Sequence, residues 1–147
     1  MPSQSSVDAK IEQLLTYMRS AGLKRTRQRE LVARVVLGDN QHAKVEEIYA
    51  AARRIDPRVG YSTVYRTLRI LKDAGLVVEL QFGDGLTRYE PELGEHHHDH
   101  LICTSCRKIV EFESEEIEAR QAEIAREHGF RVDSHKHELY GLCPDCQ

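Results

Sequence analysis

Two short cysteine pairs, Cys103-X2-Cys106 and Cys143-X2-Cys146, hold all four cysteines of this chain. Thiolates are soft ligands, and two such pairs offer one divalent ion four sulfurs in a tetrahedral array. Zinc suits that arrangement because it is redox-silent, prefers the geometry, and lends folding energy to a module with little core of its own. Two disulfides, or four reduced core thiols, are the competing readings. No secretion signal opens the sequence and each pair is too local to close a useful loop, so the expectation is a structural Zn2+ ion.

A second group of donors runs from Glu90 to Glu111. Glu90, His96, His97, His98, Asp99 and His100 precede Cys103, and Glu111 follows Cys106. Side chains alternate along an extended chain, so His98 and His100 would share one face while His97 and Asp99 share the other. One run can then feed two ions. Mixed imidazole and carboxylate donors suit divalent iron, manganese, zinc or cobalt, and exchange more readily than a thiolate cage. A solvated polar loop is the plain alternative. His128 reads as a cation at a helix C-terminus, where the helix dipole favours it.

These donors need elements to position them. The chain has 147 residues, 40% hydrophobic and 31% charged, which fits one ordinary domain or two small ones. No apolar run is long enough to cross a bilayer, which makes the cytoplasm the expected location. Formal net charge is -3, but it is unevenly placed: Arg19, Lys24, Arg25, Arg27, Arg29 and Arg34 face only Glu30, whereas the stretch from Glu111 to Glu127 is acidic. A basic N-terminal half and an acidic, metal-liganding C-terminal half imply divided labour.

The N-terminal half carries four apolar stripes at helical spacing. They are Val7, Ile11, Leu14 or Leu15 and Met18; Leu31, Val32, Val35 and Val36; Val45, Ile48, Tyr49 and Ala52; and Val64, Leu68 and Leu71. The fourth helix is expected to start at Ser62 or Thr63, either of which can cap it, and to stop at Ala74-Gly75. Its remaining surface offers Tyr65, Arg66, Arg69 and Lys72, the composition of a recognition helix in a major groove. A solvated basic face is the alternative for that helix alone. Leu76 to Gln81, a Phe82-Gly83-Asp84-Gly85 turn and a return from Leu86 to Glu90 add a hairpin, and helices followed by a hairpin make a winged helix.

In the C-terminal half, Leu101-Ile102 and Ile109-Val110 with Phe112 read as paired strands around the first cysteine knuckle. Ser114 to Glu127 reads as an amphipathic helix with Ile117, Gln121, Ile124 and Ala125 inward, and Phe130 to Asp133 and His137 to Leu142 as further strands. So small a sheet leaves an edge that a second copy can pair, which predicts a homodimer and, with two recognition helices, a two-fold-related DNA site. The expected fold class is α+β: an N-terminal winged helix-turn-helix domain over residues 1–90, then a small α/β dimerisation domain over 91–147.

Taken in order, Gly22-Leu23-Lys24 with Thr26 and Arg29, Tyr61-Ser62-Thr63-Val64-Tyr65-Arg66-Thr67-Leu68, Ala74-Gly75-Leu76-Val77, His96-His97-His98-Asp99-His100-Leu101-Ile102-Cys103 and Cys143-X2-Cys146 resemble the ferric uptake regulator family over nearly the whole chain. The resemblance implies a dimeric winged-helix repressor that binds double-stranded operator DNA when loaded with metal. Under it, Cys103, Cys106, Cys143 and Cys146 hold structural zinc. His42, Glu90, His98, His100 and Glu111 form a regulatory site, and His97, Asp99, Glu118 and His135 a further metal site. Lys24 matches the family's minor-groove lysine, and Tyr65 and Arg66 its major-groove contacts. His137, beside His135, could replace it as a ligand if the strand register differs.

Within the family, peroxide-sensing members usually place aspartate where Glu90 and Glu111 stand, and zinc sensors recruit a cysteine that this chain does not have to spare. The resemblance therefore implies Fe2+ as the regulatory ion, with Mn2+ or Zn2+ as substitutes in vitro, and repression of iron-uptake genes; peroxide-, zinc- or manganese-sensing members are the nearer alternatives. A metal-dependent hydrolase would need an open coordination position and a substrate pocket. Neither a zincin helix nor a nucleotide-binding glycine loop occurs, so no catalytic residue and no small-molecule substrate are assigned. A zinc-stabilised protein-interaction module would leave the basic helix and wing unexplained.

Overall fold

The computed structural model describes residues 3–38, 42–92 and 98–147. The chain forms two compact units, Met1–Glu92 and Leu93–Gln147. The first boundary falls just past a wing strand, since Pro91 still pairs with Val77.

The first unit contains α1 (Gln4–Ser20), α2 (Arg27–Gly38), a two-residue strand β1 (Ala43–Lys44), α3 (Val45–Ile55), α4 (Tyr61–Asp73), β2 (Val77–Gln81) and β3 (Thr87–Pro91). Its core is built from the expected stripes: Val7, Ile11, Leu14 and Met18 of α1 join Val32 and Val36 of α2, Ile48 and Ala52 of α3, and Val64, Leu68 and Leu71 of α4, all buried. Fully burying one such aliphatic side chain contributes roughly 1.5–3 kcal/mol, so the helices hold one another in place. The N-cap of α4 is Gly60, not Ser62 or Thr63, and no side chain caps it. Val59, 1% exposed, is drawn into the core immediately before it and fixes where the helix begins. At the other end, Leu76 N donates to Leu71 O and Gly75 N to Lys72 O, closing α4 and turning the chain into β2.

β2 and β3 form the antiparallel wing hairpin, and β1 pairs on the other side of β3, giving the order β1-β3-β2. The sequence reading did not contain β1. Two residues carry no period, and only pairing with Tyr89 and Arg88 defines them as a strand. The wing turn is held by a buried ion pair. Arg88 donates to both carboxylate oxygens of Asp84, at 2.7 and 3.1 Å, and Asp84 also accepts from Leu86 N at 3.1 Å. Gly83 and Gly85, both at φ 74°, supply the left-handed backbone on either side of Asp84.

The second unit contains β4 (Asp99–Cys103), β5 (Ile109–Phe112), α5 (Glu115–Glu127), β6 (Glu138–Gly141) and a 3-10 turn at Pro144–Cys146. Its sheet order is β5-β4-β6, with β4 antiparallel to β5 and parallel to β6. Ser114 caps α5 by accepting from Ile117 N. One expectation fails here and another holds only in part. Residues 130–133 form no strand, and Phe130 and Val132 are 72% and 53% exposed. No residue of α5 is fully buried: Ile117, Gln121 and Ala125 of the expected inward face are half-buried, whereas Ile124 is 43% exposed. The apolar pattern is present, but three short strands offer it too little surface to pack against within one chain.

Among the described residues no helix is long and apolar enough to cross a membrane.

Candidate metal centres and nucleic-acid interface

The cysteine knuckles meet at the end of the second sheet. Cys103 closes β4, Cys106 follows in the turn to β5, Cys143 precedes the final 3-10 turn and Cys146 is its last residue. Their four sulfurs lie within 4.8 Å of one another, and the Cys106 and Cys143 sulfurs are 3.7 Å apart. A tetrahedral ion with Zn–S near 2.3 Å needs sulfurs about 3.8 Å apart, so the cage fits Zn2+. A disulfide needs sulfurs about 2.05 Å apart, and all four cysteines are free thiols. The amides of Cys143 and Cys106 donate to Cys103 Sγ at 3.4 and 3.5 Å, and these contacts bring the thiol down to about 6 from its usual 9.0. The ligand form is therefore prepared by the backbone.

The mixed donors divide between the units. In the first, His42 Nε2 lies 3.0 Å from Glu90 Oε2, with both side chains largely shielded. The His42 ring meets Phe82 edge-on at 5.8 Å, and the Arg88 guanidinium lies over the same Phe82 ring at 5.6 Å, so the histidine is packed against the wing turn. In the second unit, His100 sits directly opposite Glu111 in the β4–β5 ladder, with their ligand atoms within 4.8 Å. His98 is not among these mutually close donors, and its Nδ1 is 3.0 Å from Glu113 Oε1. Glu113 was not singled out from sequence, where nothing distinguishes it from the other glutamates of an acidic stretch.

Asp99, Glu118 and His135 bring ligand atoms within 4.8 Å of one another, joining the first residue of β4, the first turn of α5 and the segment before β6. His135 Nε2 is 3.1 Å from Glu118 Oε1 and 4.0 Å from Asp99 Oδ1. His97, expected with them, lies outside the described residues, as does His96. An oxygen- and nitrogen-rich set of this kind fits Fe2+, Mn2+ or Zn2+.

The basic face lies on the first unit. Tyr65 is 57% exposed, and Arg66 and Arg69 are exposed beside it on α4. Lys72 is engaged instead with Glu79 of β2 at 2.5 Å. A groove beside the N-terminal half of α4 is lined by Arg25, Arg27, Arg29, Arg58, Thr63 and Arg66. Arg58 was missed in the sequence because it stands alone in the α3–α4 connection and joins the others only through the fold. Its charge is partly balanced by Asp56, at 2.9 Å. Lys24 is exposed in the α1–α2 connection, where its carbonyl accepts from Arg29.

A winged helix with a basic recognition face, followed by a tetrathiolate and histidine-carboxylate unit, matches the family model described as "Ferric uptake regulator family" over residues 20–140. The chain belongs to this family. It is a metal-dependent transcriptional regulator. It is 41% identical over 141 residues to the ferric uptake regulation protein of Campylobacter jejuni, covering 95% of this chain and 89% of the relative. It is 33% identical to the peroxide-responsive repressor PerR of Staphylococcus aureus, over 97% of this chain and 95% of the relative. The ferric uptake regulator Fur of Helicobacter pylori, whose structure reveals three functional metal-binding sites, superposes with a TM-score of 0.90 at 33% identity, covering 100% of this chain and 97% of that one.

Proposed function

We propose that this protein is a homodimeric, iron-responsive repressor of iron-uptake genes. Cys103, Cys106, Cys143 and Cys146 hold a structural Zn2+, and His42, Glu90, His98, His100 and Glu111 together take the regulatory Fe2+, with Mn2+ or Zn2+ able to substitute. Asp99, Glu118, His135 and His97 take a further ion. The observation that carries this reading is that Glu90 and Glu111 each stand beside an imidazole, His42 and His100, within their own units. Glutamate at both positions favours the iron branch over the peroxide-sensing one, and every cysteine is already in the tetrathiolate cage.

An ion that draws donors from both units favours whichever arrangement lets all of them reach it. It shifts the population toward the DNA-binding form only through that differential affinity. Lys24 enters the minor groove, while Tyr65 and Arg66 read the major groove from α4, with Arg27 and Arg58 available to phosphates.

Dimerisation is supported by an apolar row across the second sheet. Val110, Leu101 and Leu139 are in register on adjacent strands and 42%, 42% and 46% exposed, while Ile102 beside Leu101 faces inward. A second copy covering that row would also give two recognition helices for an inverted repeat. The protein acts in the cytoplasm and turns over no substrate in this reading. Footprinting of an inverted-repeat duplex tests it: Mn2+-loaded protein should protect both half-sites symmetrically, and protection that is equal without added metal would contradict metal-dependent repression.

A further inference from the structure

We propose that His137 is a positioning residue of the Asp99, Glu118 and His135 metal site, holding one oxygen of Asp99 so that the other is presented to the ion. The inference rests on the reading of those three residues as ligands. Asp99 is 2% exposed, and a carboxylate so buried needs a partner for each oxygen. Oδ1 faces His135, while Oδ2 lies 3.2 Å from His137 Nδ1. Among the described residues, the mutually close donors include His135 and not His137, which supports His135 as the ligand and His137 as the residue behind the carboxylate.

The ring of His137 is itself fixed. Phe112, directly opposite Asp99 in the β4–β5 ladder, meets it edge-on at 5.7 Å. The His137 carbonyl accepts from His100 N at 3.2 Å, one step before the first β4–β6 pair, His100 and Glu138. Side chain and backbone of one residue therefore hold the start of β4 from the β6 side. With Nδ1 protonated, His137 donates to Oδ2, which keeps Asp99 monodentate through Oδ1 and sets its orientation. Outer partners of this kind commonly contribute 10–100-fold to metal affinity.

The test uses the full chain with its structural zinc in place and with His42→Ala and Glu90→Ala introduced, so that the remaining mixed-donor site is read alone. Co2+ is titrated by calorimetry and visible absorption, with zinc content and circular dichroism recorded for every variant. The parent should bind one Co2+ per chain. His137→Leu should weaken that binding by about 10–100-fold and alter the Co2+ absorption bands. His137→Asn, whose amide can donate from nearly the same place as Nδ1, should restore most of both. Parent-like binding by the Leu variant, or equal loss in the Leu and Asn variants, overturns the role of His137 while leaving the site intact. A parent that binds no Co2+ overturns the site reading itself.

Discussion

Arg88 and Asp84 are joined at the wing turn by a two-point ion pair, 2.7 and 3.1 Å long, with each side chain only 5% exposed. Hydrogen bonding from Arg88, opposed by burial, holds the Asp84 carboxyl down at about 2 from its usual 3.8. Because the folded value is the lower one, the stabilisation is complete above pH 4 and is lost as pH falls from there through about 2. Asp84→Ala leaves Arg88 charged, buried and unpaired, and should cost about 3 kcal/mol in chemical denaturation. It should also remove part of the acid-induced loss of stability. An unchanged denaturation midpoint would contradict the structural role of the pair.

Cys143→Ser removes one sulfur from the cage and a backbone-supported knuckle with it. Buried apolar side chains in the second unit are few, with Ile102 and Cys103 the fully shielded ones among the described residues, so metal must replace much of the missing core. The variant should lose its tightly held zinc and the folded second unit, seen as zinc content by emission spectroscopy and as broad amide exchange across β4 to β6. Retention of one zinc per chain with an unaltered exchange pattern would argue against the tetrathiolate assignment.

Arg66→Ala should weaken specific DNA binding by about 1–3 kcal/mol, a factor of roughly 5–150, with metal uptake unchanged. Arg66 is exposed on α4 and forms one wall of the arginine-lined groove, so its loss leaves the helix core of Val64, Leu68 and Leu71 untouched. Gel-shift titration against matched and scrambled duplexes reads the difference.

Much of this was legible beforehand, for reasons that differ by element. The four helices of the first unit declare themselves because each buries a stripe with helical period, and the wing because its turn is rich in glycine and follows an apolar run from Leu76 to Leu80. The cysteine cage is legible from spacing alone. β1 was not, since a two-residue strand exists only through its neighbour β3. The start of α4 was misplaced because Ser62 and Thr63 have capping side chains, whereas burial of Val59 decides the boundary. Residues 130–133 form no strand, and on the expected inward face of α5 Ile117, Gln121 and Ala125 are half-buried while Ile124 is exposed, since apolar period signals a surface that needs covering but not what covers it. The partnerships of His98 with Glu113 and of His137 with Asp99 lie beyond sequence reasoning, because side chains meet there across strands with no fixed spacing.

Leu101→Glu places a charge in the middle of the apolar row formed with Val110 and Leu139. If a second copy covers that row, sedimentation should shift from dimer toward monomer while zinc content stays the same. An unshifted dimer would place the interface elsewhere.

The most direct test of metal-gated DNA binding is an anaerobic fluorescence-anisotropy titration of an inverted-repeat duplex with protein that keeps its structural zinc, as Fe2+, Mn2+ or Zn2+ is added. Fe2+ and Mn2+ should each drive tight binding in the wild-type chain and fail to do so in His42→Ala, which keeps its fold and its zinc. Binding that needs no added metal, or that His42→Ala shares in full, would contradict an iron-responsive repressor, and binding driven by Zn2+ alone would assign the protein to a different metal.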